Sequence, residues 1–207
     1  SFFALMGVLM GQVNPGFKET MVPAMVIFAL LSSAVLALPG PLVAAREAGI
    51  FRSYRINGVP ALSILAIPAL TTIMHMVLVA TVIVIIGPLV FGAKMPINGL
   101  GLVLTFLAVA VACAGLGVLI GVIASDSRAI VLWSQLVFLP SMILGGLMLP
   151  VSMLPGTLAR VAWLLPSAHA MNAFGGLSLG LPAAHPPLQS VIILFAGGLL
   201  AFALAIY

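Results

Sequence analysis

The stretch VAAREAGIFRSYRINGVP, from Val43 to Pro60, is a charged island in an otherwise apolar chain. The 207 residues include only seven Lys and Arg and three Asp and Glu, and four of these charges fall between Arg46 and Arg55. Long uncharged segments lie on both sides, at 20–45 and 56–93. A membrane span needs about 20 predominantly apolar residues. The stretch is therefore predicted to be a polar connection between two membrane-spanning helices.

The composition of the whole chain indicates the same class of protein. Hydrophobic residues make up 64% of the chain and charged residues 5%, whereas soluble domains are about 25% charged. Three more uncharged runs follow, at 95–125, 129–159 and 161–207. None alternates polar and apolar residues as the strands of a membrane barrel do. Because helices satisfy every backbone hydrogen bond within lipid, we predict an all-α polytopic membrane protein.

Turn residues and prolines place the individual spans along a single predicted domain, 1–207. Spans are expected at about 21–45, 60–86, 100–124, 130–149 and 188–207. Residues 1–11 are too short to cross alone and are interpreted as the end of a first helix whose start is missing. Pro39 and Pro41 are expected to kink their span near its end. Residues 150–187, rich in proline, contain only short apolar pieces, which predicts a re-entrant or interfacial region.

Lys and Arg in short connections predict the orientation. If successive connections alternate sides, one side holds Arg46, Arg52, Arg55 and Arg128, and the other holds Lys18, Lys94 and Arg160. The first group lies in two short connections. We therefore expect 46–58 and 125–128 on the cytoplasmic side of a bacterial plasma membrane.

The charged island itself fits a short amphipathic helix. On a helical wheel Ile50, Phe51 and Tyr54 share an arc of about 100°, and the neighbouring arginines lie outside it. Asn57-Gly58 is predicted to end this helix as a C-cap. Glu47 falls inside the apolar arc, which a protein partner with a hydrogen-bond donor would explain. The simpler alternative is a loop whose arginines only set the topology.

Three stretches resemble the ABC-2 type transporter permeases. REAGIFRSYRINGVP, residues 46–60, resembles the family's segment between the second and third helices, where an Arg-Glu-x-Gly start, a basic helical middle and a proline form the coupling helix. SDSR followed by LVFLPSMILGGLMLPVSMLP, residues 136–155, is similar to the fifth helix, which ends in a small-residue and proline break. RVAWLLPSAHAMNAF, residues 160–174, is similar to the re-entrant region before the sixth helix. The resemblance covers essentially the whole chain.

The resemblance implies a six-helix ABC-2 type transmembrane domain with a coupling helix at 46–58 and a re-entrant segment before the last helix. It also implies a half-transporter, which pairs with a second permease copy or paralogue and with cytoplasmic ATP-binding cassette subunits. ATP and Mg²⁺ would be bound by those subunits. The residues implied to face the ATPase are Arg46, Glu47, Gly49, Arg52 and Arg55.

The chain's own chemistry agrees that any ATPase is a separate subunit. A phosphate-binding loop needs the pattern GxxxxGK[ST], because backbone donors, the lysine and the hydroxyl act together. Lys18 follows Phe17 and Lys94 follows Ala93, so neither lysine fits. We expect no bound cofactor in this chain and no enzyme activity of its own.

Other classes of site receive less support from the sequence. An ion-coupled carrier usually keeps an ionisable group within the membrane, and His75 is the single candidate relay, with a neutral, hydrogen-bonded histidine as the alternative. The three histidines have no metal-ligand spacing, so no metal site is predicted. Cys113 has no charged neighbour and is interpreted as a small core residue. Ser125-Asp126-Ser127 is interpreted as a helix-capping turn rather than a nucleophile.

The cargo is the least determined part of the prediction. Eleven Met and eleven Phe suit a cavity for a drug, an antibiotic or a lipid-like molecule, and they suit ordinary core packing as well. The residues assigned to a substrate path are His75, Met142, Met148 and Met153. A transporter of polar glycans is the first alternative, although two Trp and two Tyr provide few aromatic side chains. An ion-coupled carrier that uses His75 is the second. CAGLGVLIG, residues 113–121, is expected to pack closely against another helix.

Overall fold

The computed structural model describes residues 17–206, and their side chains except at positions 17, 18, 55, 61 and 62. The predicted partial helix 1–11 lies outside this range. Every regular element between residues 17 and 206 is helical, which confirms the all-α class. The α-helices are α1 (Phe17–Leu31), α2 (Pro39–Glu47), α3 (Ile50–Ile56), α4 (Ala61–Phe91), α5 (Gly99–Ile123), α6 (Ser127–Leu144), α7 (Gly156–Ala162), α8 (Pro166–Ala173) and α9 (Pro187–Ile206). Short π-helical segments occupy Ser32–Ala37 and Phe174–Ser178, and a 3₁₀ turn occupies Val151–Met153.

Five helical segments in the described part are long and apolar enough to cross a membrane. They are Glu19–Glu47, which joins α1, the first π-helical segment and α2, and then Ser63–Phe91, Gly99–Ile123, Ser127–Leu144 and Pro187–Ile206. These five helices match the five visible spans that the apolar runs predict.

The first span differs from the expectation in where its irregularity lies. The helix widens into a π-helical segment at Ser32–Ala37, before the prolines, and Pro39 stands in the first turn of α2. Proline has no N–H, so Pro39 cannot donate to the carbonyl of Val35 four residues earlier. The hydroxyl of Ser134 on α6 donates to that carbonyl oxygen instead, at 2.6 Å. The carbonyl that lacks its helical donor thus forms a hydrogen bond between the first span and α6.

Two helix ends also differ from the predicted boundaries. α4 continues through Pro88 to Phe91, where Gly92 in the left-handed region (φ 62°) ends it. α6 ends at Leu144 rather than near residue 149. A Cβ on Gly145 would lie 1.8 Å from the Ser167 hydroxyl oxygen of α8, so only glycine allows α8 to pack there. The break therefore comes from this packing, ahead of the proline at 150.

The first span and α5 form the centre of the bundle. In the most apolar window of each helix, 72% of Glu19–Glu47 and 61% of Gly99–Ile123 is buried, against 22% for both α4 and α6. A Cβ on Gly117 would lie 2.1 Å from the carbonyl oxygen of Ala34. One on Gly198 of α9 would lie 2.7 Å from the backbone of Val111 on α5. The close packing expected for 113–121 is thus confirmed, and it occurs within the chain.

Two sets of contacts define the ends of the bundle. At one end, Arg46 reaches the carbonyl of Ser125, so the charged island and the α5–α6 turn lie together. At the other end, the backbone N–H groups of Ile97 and Asn98 both donate to the carbonyl of Ser178. The connections therefore alternate ends along the described chain, as the topology prediction requires.

Candidate functional site

The charged island forms an elbow between α2 and α3. The N–H of Ala48 donates to the carbonyl of Ala44 and that of Gly49 to Arg46, both at 3.0 Å, which closes α2. Gly49 has φ 72°, a left-handed conformation that side chains with a Cβ disfavour. The helical wheel drawn through Glu47 is therefore wrong: Glu47 is the last residue of α2 and is exposed, so it shares no face with α3.

Among the described side chains of α3, Phe51 is the one that packs into a core cluster of the bundle. Phe51 is half-buried and packs against a cluster that includes Leu42, Leu65 and Val118. Tyr54 is 46% exposed and Ile56 76% exposed. An apolar helix face that lies at the end of the bundle and is only partly covered suits the membrane surface or a docked protein.

The end of α3 confirms the predicted C-cap. Gly58 has φ 76° and the N–H of Val59 donates to the carbonyl of Tyr54 at 3.0 Å. The side-chain amide of Asn57 also donates to the carbonyl of Ser53, at 2.8 Å. The Val59 N–H satisfies a carbonyl that the helix end leaves without an intrahelical donor, and the Asn57 amide is a second donor to the Ser53 carbonyl, which also accepts from the backbone N–H of Asn57 at 3.1 Å. They fix the direction in which the chain enters α4.

Arg46 connects this elbow to the end of α5. Its guanidinium donates to the carbonyl oxygens of Val122 (3.0 Å), Ala124 and Ser125 (3.1 Å). A helix C-terminus carries partial negative charge and unpaired carbonyls, so a cation there is favoured. The planar fork of arginine can bond several carbonyls at once, which a lysine ammonium cannot do with the same geometry. Arg46 is the C-terminal cap of α5, supplied by a different span.

The α5–α6 turn is fixed from its other side by Asp126. Its carboxylate accepts from the backbone N–H groups of Arg128 and Ala129, both at 2.9 Å, and so caps the start of α6. This confirms the capping interpretation of Ser125-Asp126-Ser127. One short turn is thus held by Arg46 on one side and by its own aspartate on the other. The elbow is therefore bonded to the end of α5 and to the turn that leads into α6.

The five residues predicted to face an ATPase occupy different positions in this elbow. Arg46 is half-buried and bonded within the chain, whereas Glu47 and Arg52 are exposed and form no ion pair with another described residue. Gly49 is the backbone hinge between the two helices. Arg55 lies in the last turn of α3.

The residues predicted for a substrate path are not brought together. His75 lies in a groove between the first span and α4, and none of the three methionines lines that groove. Met142 is half-buried against the largest cluster of buried apolar side chains, which includes Leu30, Val109 and Phe138. Met148 is half-buried in the segment after α6, and Met153 is 66% exposed.

A polar network near the opposite end of the bundle escaped the sequence analysis. His169 Nε2 lies 2.9 Å from the carbonyl oxygen of Trp163, and Nδ1 lies 3.3 Å from the Ser190 hydroxyl. Because a carbonyl only accepts, Nε2 carries the hydrogen and a neutral ring leaves Nδ1 as an acceptor for Ser190. Asn172 donates to the same hydroxyl and to the carbonyl of His185, both at 3.0 Å. The network ties α8 to the start of α9.

The environment of His169 favours its neutral form. Burial lowers the pKa of His169, the hydrogen bond to Trp163 opposes that shift, and the charge of His185 lowers the pKa further. The Trp163 ring contacts both imidazoles, with its centroid 5.3 Å from that of His169 and 4.2 Å from that of His185. The clustering of proline and histidine at 160–187 was the only sequence signal of this network.

The chain folds as a helical membrane bundle with an elbow at one end. The family model described as ABC-2 type transporter matches residues 2–177. The chain belongs to the ABC-2 type transporter family. This ABC-2 family protein is a multi-pass membrane protein, and a bacterial inner membrane fits it.

One curated relative of this ABC-2 family chain is Nodulation protein J of Rhizobium meliloti (strain 1021). It is 31% identical over 74 residues, which cover 36% of this chain. The match spans 28% of that relative's length. Membership of the family identifies a membrane subunit for transport.

Proposed function

We propose that this chain is the permease subunit of an ATP-driven exporter in a bacterial plasma membrane. A second permease copy or paralogue would complete the transmembrane part, and ATP-binding cassette subunits beneath it would bind ATP and Mg²⁺. Membership of the ABC-2 family supports this proposal. The single observation that carries it is the elbow, since an exposed helix at one end of the bundle adjoins Arg46, which is bonded to the end of α5 and to the α5–α6 turn.

The positions of the coupling residues in the elbow support a different role for each of them. Glu47 and Arg52 are exposed at the elbow and would contact the ATPase directly. Phe51 would carry movement of α3 into the cluster around Leu42. Arg46 would not contact the ATPase but would connect the elbow to α5, because its guanidinium is already bonded to the end of that helix. Arg55 would join the contact surface by its position in α3.

We propose a hydrophobic or amphipathic cargo, such as a drug, an antibiotic or a lipid-like molecule. The grooves between the described helices support it, since their linings are mostly aliphatic and aromatic. Met142, Met148 and Met153 stay in the proposal as adaptable apolar side chains near the end of α6. A polar glycan is the alternative cargo, and a glycan that stimulates the ATPase where apolar compounds do not would favour it.

The test starts with purification of the full chain and analysis of what copurifies. We expect an ATP-binding subunit whose hydrolysis rate rises with cargo after reconstitution. Glu47→Ala and Arg52→Ala should each remove the stimulation and leave membrane insertion intact. Arg160→Ala is the matched control, because Arg160 is exposed and lies outside the elbow.

Two results would contradict the proposal. Full cargo-stimulated ATP hydrolysis in both elbow variants would remove the role of the elbow. Transport that survives ATP depletion but stops with a proton uncoupler would indicate the carrier that uses His75.

A further inference from the structure

A groove of about 530 Å³ separates the first span from α4 and contains an unusual set of side chains for a lipid-facing surface. Its walls are mainly apolar. Its polar members are Ser33 from the first span and Thr71, Thr72 and His75 from α4. Ligand sites are typically apolar concavities of about 300–1,000 Å³ with a few converging polar groups. This groove has both properties.

The polar groups in the groove keep hydrogen-bonding capacity. Thr71 donates to the carbonyl of Ile67 and Thr72 to that of Pro68, both at 2.9 Å, so each hydroxyl oxygen can still accept. Within the described part of the chain, the side chains of Ser33 and His75 form no hydrogen bond. A ligand in the groove would therefore meet a hydroxyl on one wall and an imidazole on the other.

The depth of His75 makes an unpaired ring costly. His75 stands near the middle of the 31-residue α4, about 20 Å from the helix start at 1.5 Å per residue. This lies within a hydrocarbon core about 30 Å thick. An unpaired polar group there costs free energy unless a partner satisfies it. An amphiphile whose hydroxyl reaches the ring would supply that partner, and a volume of about 530 Å³ suits a small molecule.

The lining also defines the chemistry of that molecule. No Asp, Glu, Lys or Arg is among the described residues that line the groove. A charged headgroup would find no counter-ion there, whereas a hydroxyl can both donate and accept. Apolar side chains such as Ile67, which is 66% exposed, would contact an alkyl chain.

We propose that this groove binds an uncharged, hydroxyl-bearing amphiphile taken from the surrounding bilayer. Its hydroxyl bonds to His75 and Ser33, and its chain lies along the apolar wall. The site lies apart from the exposed residues Glu47 and Arg52 of the elbow, neither of which lines the groove. It therefore goes beyond the proposed export function.

The test is photolabelling of the full chain in nanodiscs of phosphatidylcholine. The probe is hexadecanol with a diazirine in its chain, and the competitors are hexadecanol, palmitate and hexadecane. We expect labelled peptides around Ile67–His75 and competition by hexadecanol well above that of the other two. His75→Leu should reduce the advantage of hexadecanol over hexadecane by about fivefold, the value of one ordinary hydrogen bond.

Three further variants make the result specific. His75→Gln keeps a donor and an acceptor and should retain the preference for the alcohol. Ser33→Ala deletes one hydroxyl and tests the opposite wall if His75→Leu fails to fold. Thr81→Val is the control, because Thr81 is exposed on the same helix and bonds the carbonyl of Val77, outside the groove.

The proposal fails if hexadecane competes as well as hexadecanol, or if His75→Leu and Ser33→Ala both keep the alcohol preference. It also fails if labelling spreads evenly along the exposed face of α4. A photo-crosslinker placed at Ile67 gives an independent check. Its capture of a polypeptide would show that a protein occupies the groove, and that would overturn a lipid-like ligand.

Discussion

Arg46→Ala should destabilise the folded chain, although Arg46 is one of the residues that the family resemblance implies to face the ATPase. The substitution removes three hydrogen bonds, to Val122, Ala124 and Ser125, together with the cation at the end of α5. Arg52→Ala removes an equal charge from the same elbow. Because Arg52 is exposed and forms no ion pair with another described residue, its loss should leave stability unchanged.

The magnitude follows from the partial burial of the guanidinium. A hydrogen bond to a charged group contributes about 1.5–3 kcal/mol, and a cation at a helix C-terminus about 0.3–1 kcal/mol. The three bonds share one half-buried group, and water can replace part of them, so the sum is well below additive. We expect Arg46→Ala to cost about 2–3 kcal/mol, and Arg46→Lys about half of that, since it keeps the charge but loses the fork.

The measurement is thermal unfolding of the purified chain in one detergent, with the variants side by side. A loss of about 2–3 kcal/mol corresponds to a decrease in Tm of about 5–10 °C for a domain of this size. Cargo-stimulated ATP hydrolysis in the reconstituted complex should fall in both Arg46→Ala and Arg52→Ala. Only Arg46→Ala should also lower the Tm. Equal Tm values for Arg46→Ala, Arg52→Ala and the parent chain would refute the role of Arg46 as a cap.

Three further predictions rest on single contacts. Gly117→Leu should prevent stable folding, since even a Cβ would lie 2.1 Å from the Ala34 carbonyl oxygen; a well-folded monomer on size exclusion would contradict it. Ser134→Ala leaves the buried Val35 carbonyl without its hydroxyl donor and should lower the free energy of unfolding by about 1–3 kcal/mol, measured by thermal unfolding. Ser134→Thr keeps a hydroxyl donor and should retain most of the parent chain's stability. Because burial lowers the pKa of His169, the unfolded chain binds more protons, so stability is complete above about pH 6.5 and falls as the pH decreases; His169→Asn should flatten this slope in Tm against pH.

The sequence predicts most of the elbow because its signals are local. Gly58 after Asn57 marks a helix end, and the structure confirms it with a positive φ. Asp126 before a long apolar run marks a helix start, and its carboxylate accepts two backbone hydrogen bonds. The helical wheel places Glu47 on the wrong face because it assumes one continuous helix, and Gly49 breaks that helix. A single glycine in the sequence is compatible with a continuous helix and with a broken one, and the packing of its neighbours decides between them.

Composition and the spacing of the apolar runs, by themselves, determined that this chain is a helical membrane protein with five visible spans, because the cost of burying backbone polar groups in lipid leaves few other solutions. Only the tertiary structure decided which side chains form contacts between those helices. Arg46 caps α5, and Ser134 replaces the donor that Pro39 lacks. Both contacts join residues more than 70 positions apart in the chain. Such pairings depend on the rotation and depth of each helix, which packing sets and a local pattern does not encode.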